Sequence, residues 1–178
     1  MLAFSHGSTV AFDELFLRYR QPIFAFFRRR TSDLSRSEEL SQETFIALLR
    51  AASRYQPRAL FRTYLFAIAF RILRSDRRKS AFRSFFLGSN ANIHLVGSAD
   101  KNNDEILWIR QALARLDATD REILLLREFE QLSYLEIADL LKLPVNTVRS
   151  RLFRARLALR EHLEPAPATD SVPLGELS

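Results

Sequence analysis

Asn146, Thr147, Arg149, Ser150, Phe153 and Arg154 bring amide, hydroxyl, guanidinium and aromatic groups together within nine residues. That set suits the reading of DNA base edges, since an arginine chelates a guanine edge and a ring meets a thymine methyl. On a helical wheel of about 100° per residue, Asn146, Arg149, Ser150, Phe153 and Arg154 share one side, and Val148, Leu152, Ala155 and Leu159 the other. From Thr147 to His162, arginines 149, 151, 154, 156 and 160 stand against the single acid Glu161. A solvated basic face is the alternative reading, and the surrounding turn, the cap and the outward Phe153 weigh against it. A second basic cluster holds Arg71, Arg74, Arg77, Arg78 and Lys79 against Asp76. It suits phosphate anchoring, although a helix C-terminus favours cations anyway.

These side chains need helices to aim them. Ser133-Tyr134-Leu135-Glu136 is a capping box that starts a helix with Ile137, Ala138, Leu140 and Leu141 as its buried stripe. Lys142-Leu143-Pro144 ends it, because the residue before proline leaves the helical region and proline suits the first turn of the next helix. The layout is a helix-turn-helix with an arginine-bearing second helix. Upstream, Asn103 or Asp104 caps a helix carrying Ile106, Leu107, Leu113 and Leu116, and a capping box from Thr119 to Glu122 precedes the apolar run Ile123 to Leu126.

In the first half, Phe12, Leu15, Phe16, Ile23, Phe24 and Phe27 recur at helical spacing from Thr9 to Arg30, with Pro22 expected to bend or split that helix. Ser35 and Glu38 form a further capping box, before a stripe of Leu40, Phe45, Leu48 and Ala52. Tyr64, Leu65, Ile68, Ala69, Ile72 and Leu73 define another helix. Most of the fifteen phenylalanines fall on predicted inner faces. Ser80 to Asn103, rich in Gly, Ser and Asn, reads as a loop.

The chain has 178 residues, 47% hydrophobic, with scarce glycine and no alternating apolar pattern. An all-α fold of two small helical domains follows: 8–80, a linker 81–103, a second domain 104–163, and a tail 164–178 expected to be disordered because Pro165, Pro167 and Pro173 cannot continue a helix. Net charge of +6 and a pI near 10.3 point to a polyanionic partner. Zero cysteines exclude disulfides and thiolate metal sites, and the scattered His6, His94 and His162 look like surface residues, so no metal and no cofactor is expected. No paired acids or nucleophile suggest an enzyme. The apolar run Tyr64 to Phe70 is too short to span a bilayer and no signal peptide is evident, so a cytoplasmic protein is expected.

The segment LDATDREILLLREFEQLSYLEIADLLKLPVNTVRSRLFRARLALREHL, Leu116 to Leu163, resembles region 4 of the sigma-70 family in its extracytoplasmic function (ECF) group. SEELSQETFIALLRAASRY, Ser37 to Tyr55, and FRTYLFAIAFRILRSDRRK, Phe61 to Lys79, resemble region 2. The resemblance implies an alternative sigma factor that binds core RNA polymerase and directs promoter-specific initiation. Region 4 would read the −35 element through Arg149, Ser150, Phe153 and Arg154, with Asn146 and Thr147 near the backbone. Region 2 would open the −10 element. There Tyr55, Gln56, Phe61 and Tyr64 are candidates to stack on unpaired bases, and Arg71, Arg74, Arg77 and Arg78 lie along the DNA. Glu38, Glu39, Leu40, Gln42, Glu43 and Phe45 would dock on the β′ clamp helices of polymerase, although carboxylates there also suit a helix dipole. Further implied partners are the polymerase β flap, double-stranded and melted promoter DNA, and an anti-sigma factor, with the free chain monomeric.

Departures from the family pattern include Tyr64 where Trp is usual, Phe70-Arg71 for Arg-Asn, Ser37 for Ala, Glu39 for Asp, and Asn146 for Gly. Two other readings stay open: a dimeric helix-turn-helix repressor or activator, and a family member that binds polymerase without melting DNA. A flexible linker of about 24 residues has a relaxed span of roughly 27 Å and an extended one of about 80 Å. Promoter elements about one and a half helical turns apart lie roughly 50 Å from each other. Polymerase is therefore expected to stretch the linker, whose Phe82, Phe85, Phe86 and Leu87 are candidates for burial on the enzyme or the neighbouring domain.

Overall fold

The computed structural model describes residues 1–5, 8–57, 59–87 and 104–163, and every regular element among them is a helix. The N-terminal unit contains α1 (Leu2–Ser5), α2 (Thr9–Arg28), α3 (Leu34–Ala51), a 3-10 turn (Ala52–Arg54) and α4 (Phe61–Leu87). The C-terminal unit contains α5 (Asp104–Arg115), α6 (Ala118–Glu128), α7 (Tyr134–Leu141) and α8 (Val145–Leu163). His6, Arg58, His94, Asn103, most of the expected linker and the tail 164–178 lie outside the described residues.

Two helix starts differ from expectation for one reason. At α3 the cap is Asp33, which accepts from the Ser35 N–H at 2.9 Å; at α6 it is Asp117, which accepts from Thr119 and Asp120. In each case an aspartate two residues before the expected Ser or Thr satisfies the orphan donors first. Glu122 is thereby released from capping. The Ser133–Glu136 box forms as expected, with both reciprocal bonds present. Pro22 neither splits nor ends α2; it sits on an exposed stretch, where water can satisfy the carbonyl left without its N–H. Helix α4 continues through Leu87, past the expected boundary at 80, because no glycine or proline interrupts the sequence before Gly88. Phe82 thus belongs to a helix and is 64% exposed.

In the N-terminal unit α2, α3 and α4 bury Ile23, Phe26, Phe27, Leu40, Phe45, Leu48, Leu65, Phe66, Ile68, Ala69, Phe70 and Leu73. Among the described residues, Phe26, Phe27, Phe45, Phe66 and Phe70 are buried, fewer than the periodicity suggested, and Phe16 is exposed. Each fully buried Leu, Ile or Phe contributes about 1.5–3 kcal/mol, which fixes how α3 and α4 lie against α2. In the C-terminal unit Leu116, Ile123, Leu124, Leu126, Leu132, Ile137, Ala138, Val148, Leu152 and Ala155 do the same for the helix-turn-helix.

Candidate nucleic-acid interface

The aim of α8 is set just before it begins. Lys142 closes α7 in the left-handed conformation, φ 58°, a geometry that costs a non-glycine residue roughly 1–2 kcal/mol. Pro144 stands immediately ahead of α8, and its carbonyl accepts from Val148 at 3.1 Å. Val148, Leu152 and Ala155 then bury at 0–2% exposure. The opposite side consequently presents Asn146, Arg149, Ser150, Phe153 and Arg154 to solvent, with Thr147 half-buried. Phe153 stands on this face at 64% exposure. The Ser150 hydroxyl donates to the Thr147 carbonyl at 3.1 Å, and the Arg149 guanidinium sits 5.9 Å from the Tyr134 ring. Asn146 keeps ordinary helical geometry, since only Gln131 and Lys142 have positive φ among the described non-glycine residues.

Two arginines of α8 are already engaged by carboxylates of the same unit. Arg151 donates to Asp120 at 2.8 Å and to Asp117 at 3.4 Å, and Arg156 donates to Glu128 at 2.6 Å. Both guanidiniums are raised above their usual range, first by those hydrogen bonds. Asp117 is lowered by the backbone N–H groups of Thr119 and Asp120. These pairs tie α8 to α6, leaving Arg149 and Arg154 as the arginines on the face opposite the buried stripe.

At the start of α4 a second arrangement gathers rings. Tyr55 lies 5.0 Å from Tyr64 and 6.4 Å from Phe61, all edge-on, and Tyr19 of α2 meets Phe61 at 5.3 Å. The three aromatics expected from sequence are therefore one half-buried cluster, which Tyr19 completes. Gln56 is exposed beside it. Desolvation, with Tyr64 adding to it, raises the Tyr55 phenol, which stays a neutral donor. Arg71, Arg74 and Arg78 are exposed along α4. Arg77 instead reaches Glu122 of the C-terminal unit at 3.7 Å. Its guanidinium is lowered by desolvation first, which Glu122 opposes and the Arg30 and Arg121 cations reinforce.

On α3, Glu38, Glu39, Gln42 and Glu43 form an exposed acidic surface. Arg36 contacts Glu39 and pairs with Asp76 of α4, bracing that surface. Leu40 and Phe45, expected on the same surface, are 0% and 6% exposed. They support it from the core instead, because positions 40 and 45 fall on the side of α3 that faces α2 and α4. Phe45 meets the Phe16 ring edge-on at 4.9 Å. The C-terminal unit carries an apolar groove of about 720 Å³ lined by Ile109, Leu113, Leu124, Phe129, Leu159 and Leu163, among others.

A further cluster, unforeseen from sequence, joins the two units. Arg30 is buried and donates to Glu122 at 2.8 Å, to Glu130 at 3.1 and 3.4 Å, and to the Phe26 carbonyl at 3.0 Å. Burial alone would lower this guanidinium; Glu122 and Glu130 outweigh it and the group is held charged. Arg29 adds a 2.9 Å bond to Glu130 and lies 4.5 Å over the Phe129 ring. Arg62 donates to the Gln131 carbonyl at 2.7 Å, and the Thr63 hydroxyl to Glu136.

Two family models match the chain: Sigma-70 region 2 over residues 15–83 and Sigma-70, region 4 over residues 106–159. The RNA polymerase sigma-H factor of Pseudomonas aeruginosa is 34% identical over 173 residues, covering 89% of this chain and 89% of that protein. The ECF RNA polymerase sigma factor SigC of Mycobacterium tuberculosis is 31% identical over 159 residues, covering 88% and 85%. Among solved structures, the sigma factor RpoE in complex with the anti-sigma factor NepR from Bartonella quintana superposes with a TM-score of 0.74 at 23% identity, covering 86% of this chain and 96% of that one. CnrH in complex with the cytosolic domain of CnrY gives 0.63 at 23% identity, covering 88% and 90%. These two likenesses concern the fold.

Proposed function

Because the chain belongs to the sigma-70 family and to its ECF group, we propose the following division of labour for a sigma factor that directs promoter-specific transcription initiation. The exposed face of α8 reads the −35 element: Arg149, Ser150, Phe153 and Arg154 contact bases, and Asn146 and Thr147 meet the backbone. The rings of Tyr55, Phe61 and Tyr64, with Gln56, receive unpaired bases of the −10 element. Arg71, Arg74 and Arg78 hold adjacent phosphates. The acids of α3 dock on the β′ clamp helices, and the groove over α5, α6 and α8 takes an apolar partner such as the β flap. An anti-sigma factor and a monomeric free state belong to this reading, as does a cytoplasmic site; no described helix is long and apolar enough to cross a membrane. The chain acts as a regulator, and polymerase performs the catalysis.

The carrying observation is the coexistence, on one chain, of an outward basic-aromatic helix face and a separate aromatic cluster beside exposed arginines. One bidentate arginine contact supplies only about 1–3 kcal/mol of discrimination, so each module binds weakly alone. Mounting both on polymerase raises their effective concentration at one promoter. Run-off transcription from a genomic fragment library, with core polymerase and the purified chain, tests the reading. New start sites that share two spaced elements are expected. No association with core polymerase, or no new starts, would overturn it.

A further inference from the structure

Helix α4 runs on past its expected end, and its later turns form a cleft with the start of α3. The cleft measures about 650 Å³ and is lined by Arg36 and Glu39 of α3 and by Arg78, Lys79, Phe82 and Arg83 of α4. Small-molecule sites occupy roughly 300–1,000 Å³. Arg78 and Phe82 are four residues apart, as are Lys79 and Arg83, so two adjacent rows of α4 side chains look into the same space.

The cations of the cleft are not equivalent. Arg36 is held between Asp76 of α4, whose Oδ1 accepts from Nε at 3.0 Å, and Glu39, which accepts from Nη1. Two carboxylates thus offset its charge and fix it as one wall. Arg78, Lys79 and Arg83 form the other wall; all three are exposed, and no carboxylate among the described residues pairs with them. Lys79 and Arg83 are moreover a like-charged pair at a spacing that destabilises a helix. An anion lodged between them reverses the sign of that interaction.

Phe82 stands among these cations at 64% exposure. Inorganic phosphate would make no use of the ring. A ligand with a flat base and a phosphate chain uses both, because bases stack on phenyl rings, arginines grip phosphate oxygens in pairs and a lysine meets them as a point charge. One ring and one short cationic face suit a single base. A strand continuing towards α3 would meet Glu39 and Glu43, whose side chains are 58% and 52% exposed.

We propose that this cleft is a binding site for a nucleoside triphosphate. Arg78, Lys79 and Arg83 take the phosphates, Phe82 stacks on the base, and the Arg36–Glu39 pair is the facing wall. The site shares Arg78 with the arginines proposed to hold −10 phosphates and Glu39 with the acids proposed to dock on polymerase. Its ligand therefore lies between those two contacts.

Calorimetric titration of the full-length chain with GTP, at about 0.15 M salt so that distant exposed charges are screened, tests the site. Saturable binding is expected, with inorganic tripolyphosphate binding more weakly. Phe82→Ala should weaken GTP binding about 5- to 10-fold, the lower end of what one stacked base contributes, and leave tripolyphosphate unchanged. Lys79→Gln with Arg83→Gln should weaken both ligands about tenfold or more. Arg18→Gln with Arg20→Gln removes the same charge from exposed positions of α2 outside the cleft and should change neither. Every replaced side chain is exposed, so the helices should persist, which circular dichroism checks. Absence of saturable GTP binding overturns the site, as does an equal loss from the α2 pair, which would reveal unspecific attraction. Wild-type GTP affinity in Phe82→Ala, or tripolyphosphate binding as tightly as GTP, leaves only an anion site and overturns the nucleotide. Single-stranded DNA that binds more tightly than GTP and responds to the same variants assigns the cleft to nucleic acid and equally overturns the proposal.

Discussion

The two faces proposed to meet DNA are made differently. The α8 face follows from its own neighbourhood: a capping box at Ser133, a left-handed Lys142, Pro144, and a buried stripe every three to four residues. The α4 face is assembled from Tyr19 of α2, Tyr55 after the 3-10 turn, and Phe61 and Tyr64. The first is open in the free chain, and the second adjoins a turn already engaged by the C-terminal unit. The α8 face is mostly polar but carries Phe153 at 64% exposure, whereas the rings of the α4 face shield one another and are half-buried. A cluster of rings is apolar, and exposed apolar clusters invite wrong partners.

Collapse of one face should leave the other folded. Val148→Asp places a carboxylate at a position of 0% exposure, a cost of several kcal/mol. The C-terminal unit should unfold while NMR signals of α2 to α4 persist; joint unfolding would show that the faces are not independently built. Arg149→Ala should lose about 1–3 kcal/mol of −35 discrimination, measured by initiation on promoters altered at that element. Arg151→Ala should lose far less, because Asp120 already holds that guanidinium. For the assembled face, Tyr64→Ala should cost about 1–3 kcal/mol in strand opening, the worth of one stacked base, and Tyr64→Phe should restore most of it; permanganate footprinting reads both.

Smaller effects sharpen the contrast. Ser133→Ala should cost about 1 kcal/mol by urea denaturation, and Ser35→Ala much less, because Asp33 is the cap at α3. Glu136 is lowered: burial would raise its carboxyl, but Thr63 and Ser133 outweigh burial. A depressed folded value means that its contribution is complete above the ordinary carboxylate range of about 4.3 and is lost as pH falls through the lower folded value. The difference in melting temperature between wild type and Glu136→Gln should therefore be constant above about pH 6 and shrink as the solution becomes more acidic.

What could be read from sequence was what is local. The box at Ser133, the stripe of α8 and the stripe of α4 depend on residues within a turn or two, and periodicity reveals them. The caps at Asp33 and Asp117 were displaced by two residues because Ser35 and Thr119 offered equally valid local patterns, and only the entry path of the chain decides between them. Helix α4 outran its expected end because composition was averaged over Ser80 to Asn103, when the first strong helix breaker is Gly88. The shorter gap tightens the geometry: sixteen residues, 88–103, extend to about 55 Å, just enough for elements roughly 50 Å apart. Arg30 and Glu130 were illegible. They are 100 residues apart; Arg30 keeps the register of Ile23 and Phe27 and Glu130 that of Ile123 and Leu126, but charged residues just past the ends of α2 and α6 read as surface. Leu40 and Phe45 show the converse: adjacent in sequence to the exposed acids of α3, they face inward.

In the proposed division of labour, two weak readers act together on one duplex at a fixed separation. Once a promoter has been mapped, inserting about half a helical turn of DNA between its elements rotates one away from the other. Run-off transcription with core polymerase and this chain should fall to background on the inserted template while both elements remain intact. Undiminished initiation from that template would contradict the account.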